Sequence, residues 1–273
     1  MKNKTISKQS GEFLKYLNER NIVCFDNELT KKALPNSKPG AVKALLSDMT
    51  RRGLLMRIKK GLYYVIPYEQ DPETFMPEWH TLSGYLVNGV DYYIGYYSAL
   101  QIHNLITQPS LKEQIVVAKQ IKPSELKVKG VPFQFIYHNQ KHFFGVTKVW
   151  IDNFTKVLCS DVEKTIIDCL FNPNYAGGIP DIARAIYVSK NKINFNRLFD
   201  YAVRFGSQAV IKRLGFLLEV LNIETEITDE LLKIKTKSIV VLDKELPKEG
   251  KFISRWSILQ NIDTETIKTT IYT

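Results

Sequence analysis

The chain has 273 residues, 44% of them hydrophobic and 24% charged, with a formal net charge of +10, which is enough apolar material for one large core or two unequal ones. No run approaches the roughly 18 apolar residues of a membrane helix, and "MKNKTISKQSGEF" at the amino end has no signal-peptide segment, so a cytoplasmic protein with no membrane partner is expected. Cys24, Cys159 and Cys169 are odd in number and lack CxxC spacing, which argues against a disulfide framework and against a zinc–cysteine site.

Residues 1–66 hold 14 basic and 5 acidic side chains, a net of +9, whereas the other 207 residues net only +1. Such asymmetry points to an amino-terminal module facing a polyanion. A first helix is predicted from about Ser7 to Arg20, with Phe13, Leu14 and Leu17 on one face. Asp26 can cap a second helix through Leu34. Ser37, before Pro39, is read as the cap of a third, whose Val42, Leu45, Leu46 and Met49 fall at i, i+3, i+4 and i+7 and which Gly53 stops. Leu55 to Ile58 and Leu62 to Ile66 then read as a hairpin turning through Lys59, Lys60 and Gly61.

Three helices followed by a hairpin is the order of a winged helix-turn-helix. In that geometry the third helix enters the DNA major groove and offers Lys38, Ala41, Lys43, Ala44 and Ser47, while the wing tip presents Lys59 and Lys60. The candidate DNA-binding residues are Lys31, Lys32, Lys38, Lys43, Ser47, Arg51, Arg52, Arg57, Lys59 and Lys60. Any one of these cations fits a solvated face equally well; their clustering is what argues for phosphate.

The proline-rich, acidic stretch "PYEQDPETFMPEWH" reads as an ordered linker, which divides the chain into a winged helix-turn-helix domain with linker, 1–79, and a larger domain, 80–273. The second opens on an aromatic strand and a helix in which Ser98 and Gln101 have capping-box spacing. Strand-like runs follow at "KEQIVVAK", "VPFQFIYH", "GVTKVWI" and "KVLCS". Helices are predicted at Asp161–Phe171, Pro180–Ser189, Phe195–Phe205 and Ser207–Leu221, and short strands from Ser238. The expected class is α+β: a winged helix-turn-helix followed by a mixed α/β carboxy-terminal domain.

The segments "LLSDMTRRGLLMRIKKGLYYV", "YIGYYSALQIHNLI", "DVEKTIIDCLFNPNYAGGI", "IKRLGFLLEVLN" and "VVLDKELPKEGKFISRWSILQN" occur in an order that resembles the AbiEi antitoxin family, the regulatory half of bacterial abortive-infection type IV toxin–antitoxin pairs. The resemblance spans most of the chain. It implies an amino-terminal winged helix that represses its own operon by binding double-stranded operator DNA, and a carboxy-terminal antitoxin domain that counters a nucleotidyltransferase toxin. It also implies operator contacts from basic residues of the second domain, for which Lys212 and Arg213 are candidates, with Lys119, Lys122, Lys127 and Lys129.

Catalysis is not expected. Asp161, Glu163 and Asp168 could be imagined holding a metal, but Ser160 and Glu163 read as a capping box, with Asp161 in a first turn and Val162, Ile166, Cys169 and Leu170 as a buried stripe. His138 and His142 have H-x-x-x-H spacing without a third ligand, and His103 sits on an apolar helix. "FGSQAVIKRLG" has a Gly-Ser pair but not the two aspartates a nucleotidyltransferase needs. Tyr92, Tyr93, Tyr96 and Tyr97 are read as core and edge rather than a base-stacking platform. No metal or cofactor is expected. A winged-helix regulator answering another signal, and a nucleic-acid-acting enzyme, stand as the alternatives.

Overall fold

The structure, a computed structural model, describes residues 4–271. It is a mixed α+β protein whose chain divides into two compact units, residues up to Tyr85 with Val128–Gly130, and Leu86–Lys127 with residues from Val131 onward.

The first unit runs α1 (Lys8–Asn18), β1 (Cys24–Asp26), α2 (Asn27–Ala33), α3 (Pro39–Arg51), β2 (Leu55–Lys59), β3 (Leu62–Val65) and α4 (Trp79–Leu86). Ser7 caps α1, its Oγ accepting from the Ser10 amide at 3.3 Å while Ser10 Oγ accepts from the Ser7 amide at 3.0 Å. Phe13 and Leu17 then face inward against Phe25, Leu45, Leu46, Met49, Leu54 and Leu55. Phe13 meets Phe25 edge-on at 5.2 Å, an arrangement that brings a positive ring edge onto a negative face. β1, too short to read in the sequence, makes the hairpin a three-stranded sheet of order β1-β3-β2.

α3 ends in a tight reversal. The Gly53 amide donates to Thr50 O at 3.1 Å and the Leu54 amide to Met49 O at 2.9 Å, the paired bonds of a Schellman turn, and Gly53 takes the left-handed φ of +76° that it requires. A Cβ here would stand 2.3 Å from Pro72 Cγ. Gly53→Ala is therefore expected to cost about 2–4 kcal/mol, combining left-handed strain with overpacking. Melting of the full chain followed by circular dichroism checks this; an unchanged transition would show that the turn adapts without strain.

In the second unit, six strands, β4 (Tyr92–Ile94), β5 (Glu113–Val117), β6 (Glu125–Val128), β7 (Val131–Tyr137), β8 (Val146–Trp150) and β9 (Lys156–Ser160), form one mixed sheet of order β6-β7-β5-β4-β9-β8. The helices are α5 (Tyr96–Ile102), α6 (Val162–Phe171), α7 (Ile179–Ser189), α8 (Phe195–Phe205), α9 (Gln208–Val220), α10 (Ile227–Ile234) and α11 (Thr264–Thr269). A small sheet of β10 (Val240–Val241), β12 (Ile258–Gln260) and β11 (Lys251–Ile253) completes it.

α6 is buried on all sides from Glu163 to Leu170, so it is the axis of the core and not the amphipathic helix its sequence suggests. Three expected caps shift. Lys38, held extended before Pro39, is the N-cap of α3 in place of Ser37 and supplies no side-chain bond. α5 starts after Gly95, which leaves Ser98 inside it, accepting from the Gln114 amide at 2.9 Å. The α6 cap is Asp161, whose Oδ1 accepts from the Lys164 amide at 2.8 Å, while Ser160 Oγ lies 2.7 Å from Thr165 Oγ1.

Candidate nucleic-acid interface

Asp26 ends β1 and caps α2, Oδ1 accepting from the Leu29 amide at 2.8 Å. α2 carries Lys31 and Lys32 outward, although Lys31 reaches Glu28 at 2.8 Å, and that bond raises its ammonium pKa. On α3, burial of Leu45, Leu46 and Met49 turns Lys38, Ala41, Lys43, Ala44 and Ser47 to solvent. The hairpin closes through Lys60 and Gly61 at φ +79°, leaving Arg57 and Lys60 exposed and Lys59 half-buried, its ammonium pKa lowered by desolvation.

The two adjacent arginines behave differently from the rest. Asp48 accepts from Arg51 through one carboxylate oxygen and lies 2.7 Å from Arg52 through the other. Arg52, only 14% exposed, also donates to Thr5 O at 2.6 Å and Ser10 Oγ at 3.1 Å. It ties α3 to the start of α1, a structural tether that offers little to a phosphate. Among the described residues, Lys32, Lys38, Lys43, Arg57 and Lys60 are exposed cations of α2, the α3 segment and the hairpin that take part in no ion pair.

The basic candidates of the second domain part company too. Lys212 and Arg213 are fully buried. Lys212 Nζ donates to Ser238 O and, at 3.0 Å, to Ser238 Oγ. Arg213 donates to Leu170 O at 2.7 Å and Val241 O at 3.0 Å, satisfying a carbonyl at the end of α6; burial lowers its pKa to about 10. As placed, neither can reach DNA. The operator contacts that the resemblance implied for these two residues are therefore not available, and helix periodicity could not have shown it, because periodicity does not say which polar residues a distant segment will cover. Lys119, Lys122, Lys127 and Lys129 are exposed, but Lys129 Nζ donates to the carbonyls of Pro72, Glu73 and Phe75 at 2.7–3.1 Å.

The three carboxylates of the Asp161–Asp168 segment go to separate partners. Asp161 caps α6; Glu163 binds Arg197 through both oxygens at 2.8 Å; Asp168 pairs with Lys164 and accepts from Tyr93 Oη at 2.9 Å. His138 Nε2 is 2.7 Å from Tyr96 Oη, and His142 stacks on Phe205 at 3.8 Å. His103 Nε2 lies 2.7 Å from Ser160 O. Tyr93 and Tyr96 are buried and Tyr92 and Tyr97 half-buried. Among the described residues, no three His, Cys, Asp or Glu side chains gather as a metal site requires, and no helix is long and apolar enough to cross a membrane.

No family model matches the chain, and no curated protein does either. Among solved structures it resembles the crystal structure of the RV2827C protein from Mycobacterium tuberculosis, with a TM-score of 0.72 over 100% of this chain and 97% of that one. At 14% identity the likeness is one of fold, and it extends through both units.

Proposed function

We propose that the chain is an operator-binding antitoxin: an amino-terminal winged helix represses the chain's own promoter, and the second unit counteracts a nucleotidyltransferase toxin without itself catalysing a reaction, in the cytoplasm. The observation that carries the DNA-binding half is the helix–strand–helix–helix–hairpin order of the first unit with exposed cations on α3 and the hairpin and +9 of the net charge in residues 1–66. That arrangement suits major-groove recognition, bases meeting the helix and phosphates the wing. The antitoxin half rests on the order of the five AbiEi-like segments.

Footprinting on the chain's own promoter tests the reading, since it reports binding and half-site spacing together. Binding is expected to fall steeply with salt, because about five phosphate contacts give a log–log slope near −4.5. A slope near zero would remove the electrostatic argument. Lys43→Ala and Ser47→Ala are expected to change sequence preference, whereas Lys60→Ala weakens all sequences alike and flattens the slope by about 1. If preference survives both α3 changes, α3 is not the reading helix.

A further inference from the structure

β8 lies at one end of the six-stranded sheet, paired on one side with β9. Ile151 donates its amide to Thr155 O, and Gly145 O accepts from the Asp161 amide, so the odd-numbered backbone groups of this strand point at β9. By the alternation of an antiparallel ladder, the N–H and C=O groups of Val146, Lys148 and Trp150 point the other way, off the sheet. Val149 and Ile151 pack inward against Ile94, Ala99, Val157 and Cys159, while Val146, Lys148 and Trp150 are exposed on the opposite face.

Natural edge strands are commonly blunted by a lysine to prevent pairing, and Lys148 alone would fit that role. Its neighbours do not. Trp150 is 56% exposed and Phe154, at the turn, 92% exposed, a concentration of aromatic surface that folding of this chain leaves uncovered. Lys156 Nζ lies 4.2 Å from the Trp150 ring centroid, so the strip is aromatic and basic together. Asp152 is the only acid between Val146 and Ser160, and its Oδ1 is turned onto the amides of Phe154 and Thr155, both at 2.7 Å.

We propose that the outer edge of β8 is a docking strand for an extended acidic segment of a partner protein. Backbone pairing supplies the affinity, an acidic side chain meets Lys148 and Lys156, and an apolar one covers Trp150 and Phe154. Charge decides against a second copy, which would bring four lysines together on chains that each carry +10. Hydrogen-bond pattern decides against nucleic acid, because the alternating outward N–H and C=O groups of Val146, Lys148 and Trp150 match a strand donor to acceptor, whereas a phosphate backbone offers acceptors only and leaves the three carbonyls unpaired. The inference concerns the second unit and is independent of DNA binding by the first.

The test is selection of a displayed library of random seven-residue peptides on the full chain, followed by synthesis of the enriched sequences. Enriched peptides are expected to alternate acidic with β-branched or aromatic residues, to slow hydrogen exchange at residues 146–150, and to bind at least tenfold more weakly to Lys148→Glu. Replacing the peptide acids by lysine should restore binding to that variant. Val146→Pro removes one outward amide without touching the β9 pairing and should weaken binding similarly; the charge swap still decides the matter if the proline variant melts early. An unenriched library, peptides without the acidic pattern, or affinity unchanged in Lys148→Glu overturns the proposal. So does concentration-dependent dimerisation lost in Lys148→Glu, or displacement of the peptide by poly(U) RNA.

Discussion

Reversal of three charges in the full chain, Lys43→Glu, Arg57→Glu and Lys60→Glu, is expected to abolish repression of the chain's promoter while leaving cells protected against the cognate toxin. The three side chains are exposed, on α3 and the hairpin, and among the described residues none of them is in an ion pair, so their loss should not unfold the first unit. Each phosphate contact contributes about a fivefold factor at 0.15 M salt through released counterions, and losing three gives about a hundredfold, before the repulsion added by the new carboxylates. Arg52 is left out because its replacement would untether α3 from Thr5 and Ser10 and confuse lost binding with lost folding. Promoter activity and survival are measured in the same strains, with abundance checked by blot. Loss of survival at normal abundance would show that protection works through the proposed DNA-binding surface, and the proposed division of labour between the two units would have to be abandoned.

What the sequence made legible follows from the range of the forces involved. α3 and the hairpin could be read because their signals are local: apolar residues at helical spacing, a glycine where a left-handed turn is needed, and β-forming residues on both sides of Lys60-Gly61. The caps lie one to three residues from where the sequence suggests, because a nearby Ser is a good cap by type while position is set by the chain: Pro39 makes Lys38 the cap of α3, and the ends of β4 and β9 make Gly95 and Asp161 the caps of α5 and α6. β1 escaped notice because three residues carry no periodicity, and it is strand only because Cys24, Phe25 and Asp26 pair with Tyr64, Tyr63 and Leu62. Lys212, Arg213 and Arg52 look like surface charge in the sequence. Their fate depends on Ser238, Val241 and Thr5, residues 26 to 47 positions away, and no local pattern contains that information.

Asp168→Ala is expected to remove about 3–5 kcal/mol of stability, the cost of leaving one member of a buried ion pair alone. Lys164 and Asp168 are both fully buried, one helical turn apart on α6, and Lys164 also donates to Tyr93 Oη at 2.9 Å among the rings of Tyr93, Phe144 and Phe205. Removing both charges in Lys164→Met with Asp168→Leu should recover much of the loss, since the apolar pair no longer bears the desolvation of either ion. The same cluster sets an acid limit. Burial, reinforced by the Lys164 charge and opposed by Asp168, lowers the pKa of His138 to about 4 from an ordinary 6.5. Between those values the unfolded chain takes up a proton that the folded chain refuses, so stability is full above pH 6.5 and falls by about 3 kcal/mol as the pH drops toward 4. His138→Gln should flatten that slope. Urea unfolding across pH 4–8 measures all four proteins on one scale. If Asp168→Ala instead melted like the parent and abolished a metal-dependent cleavage, Asp168 would be a catalytic group and the reading of this cluster as a core ion pair would be wrong.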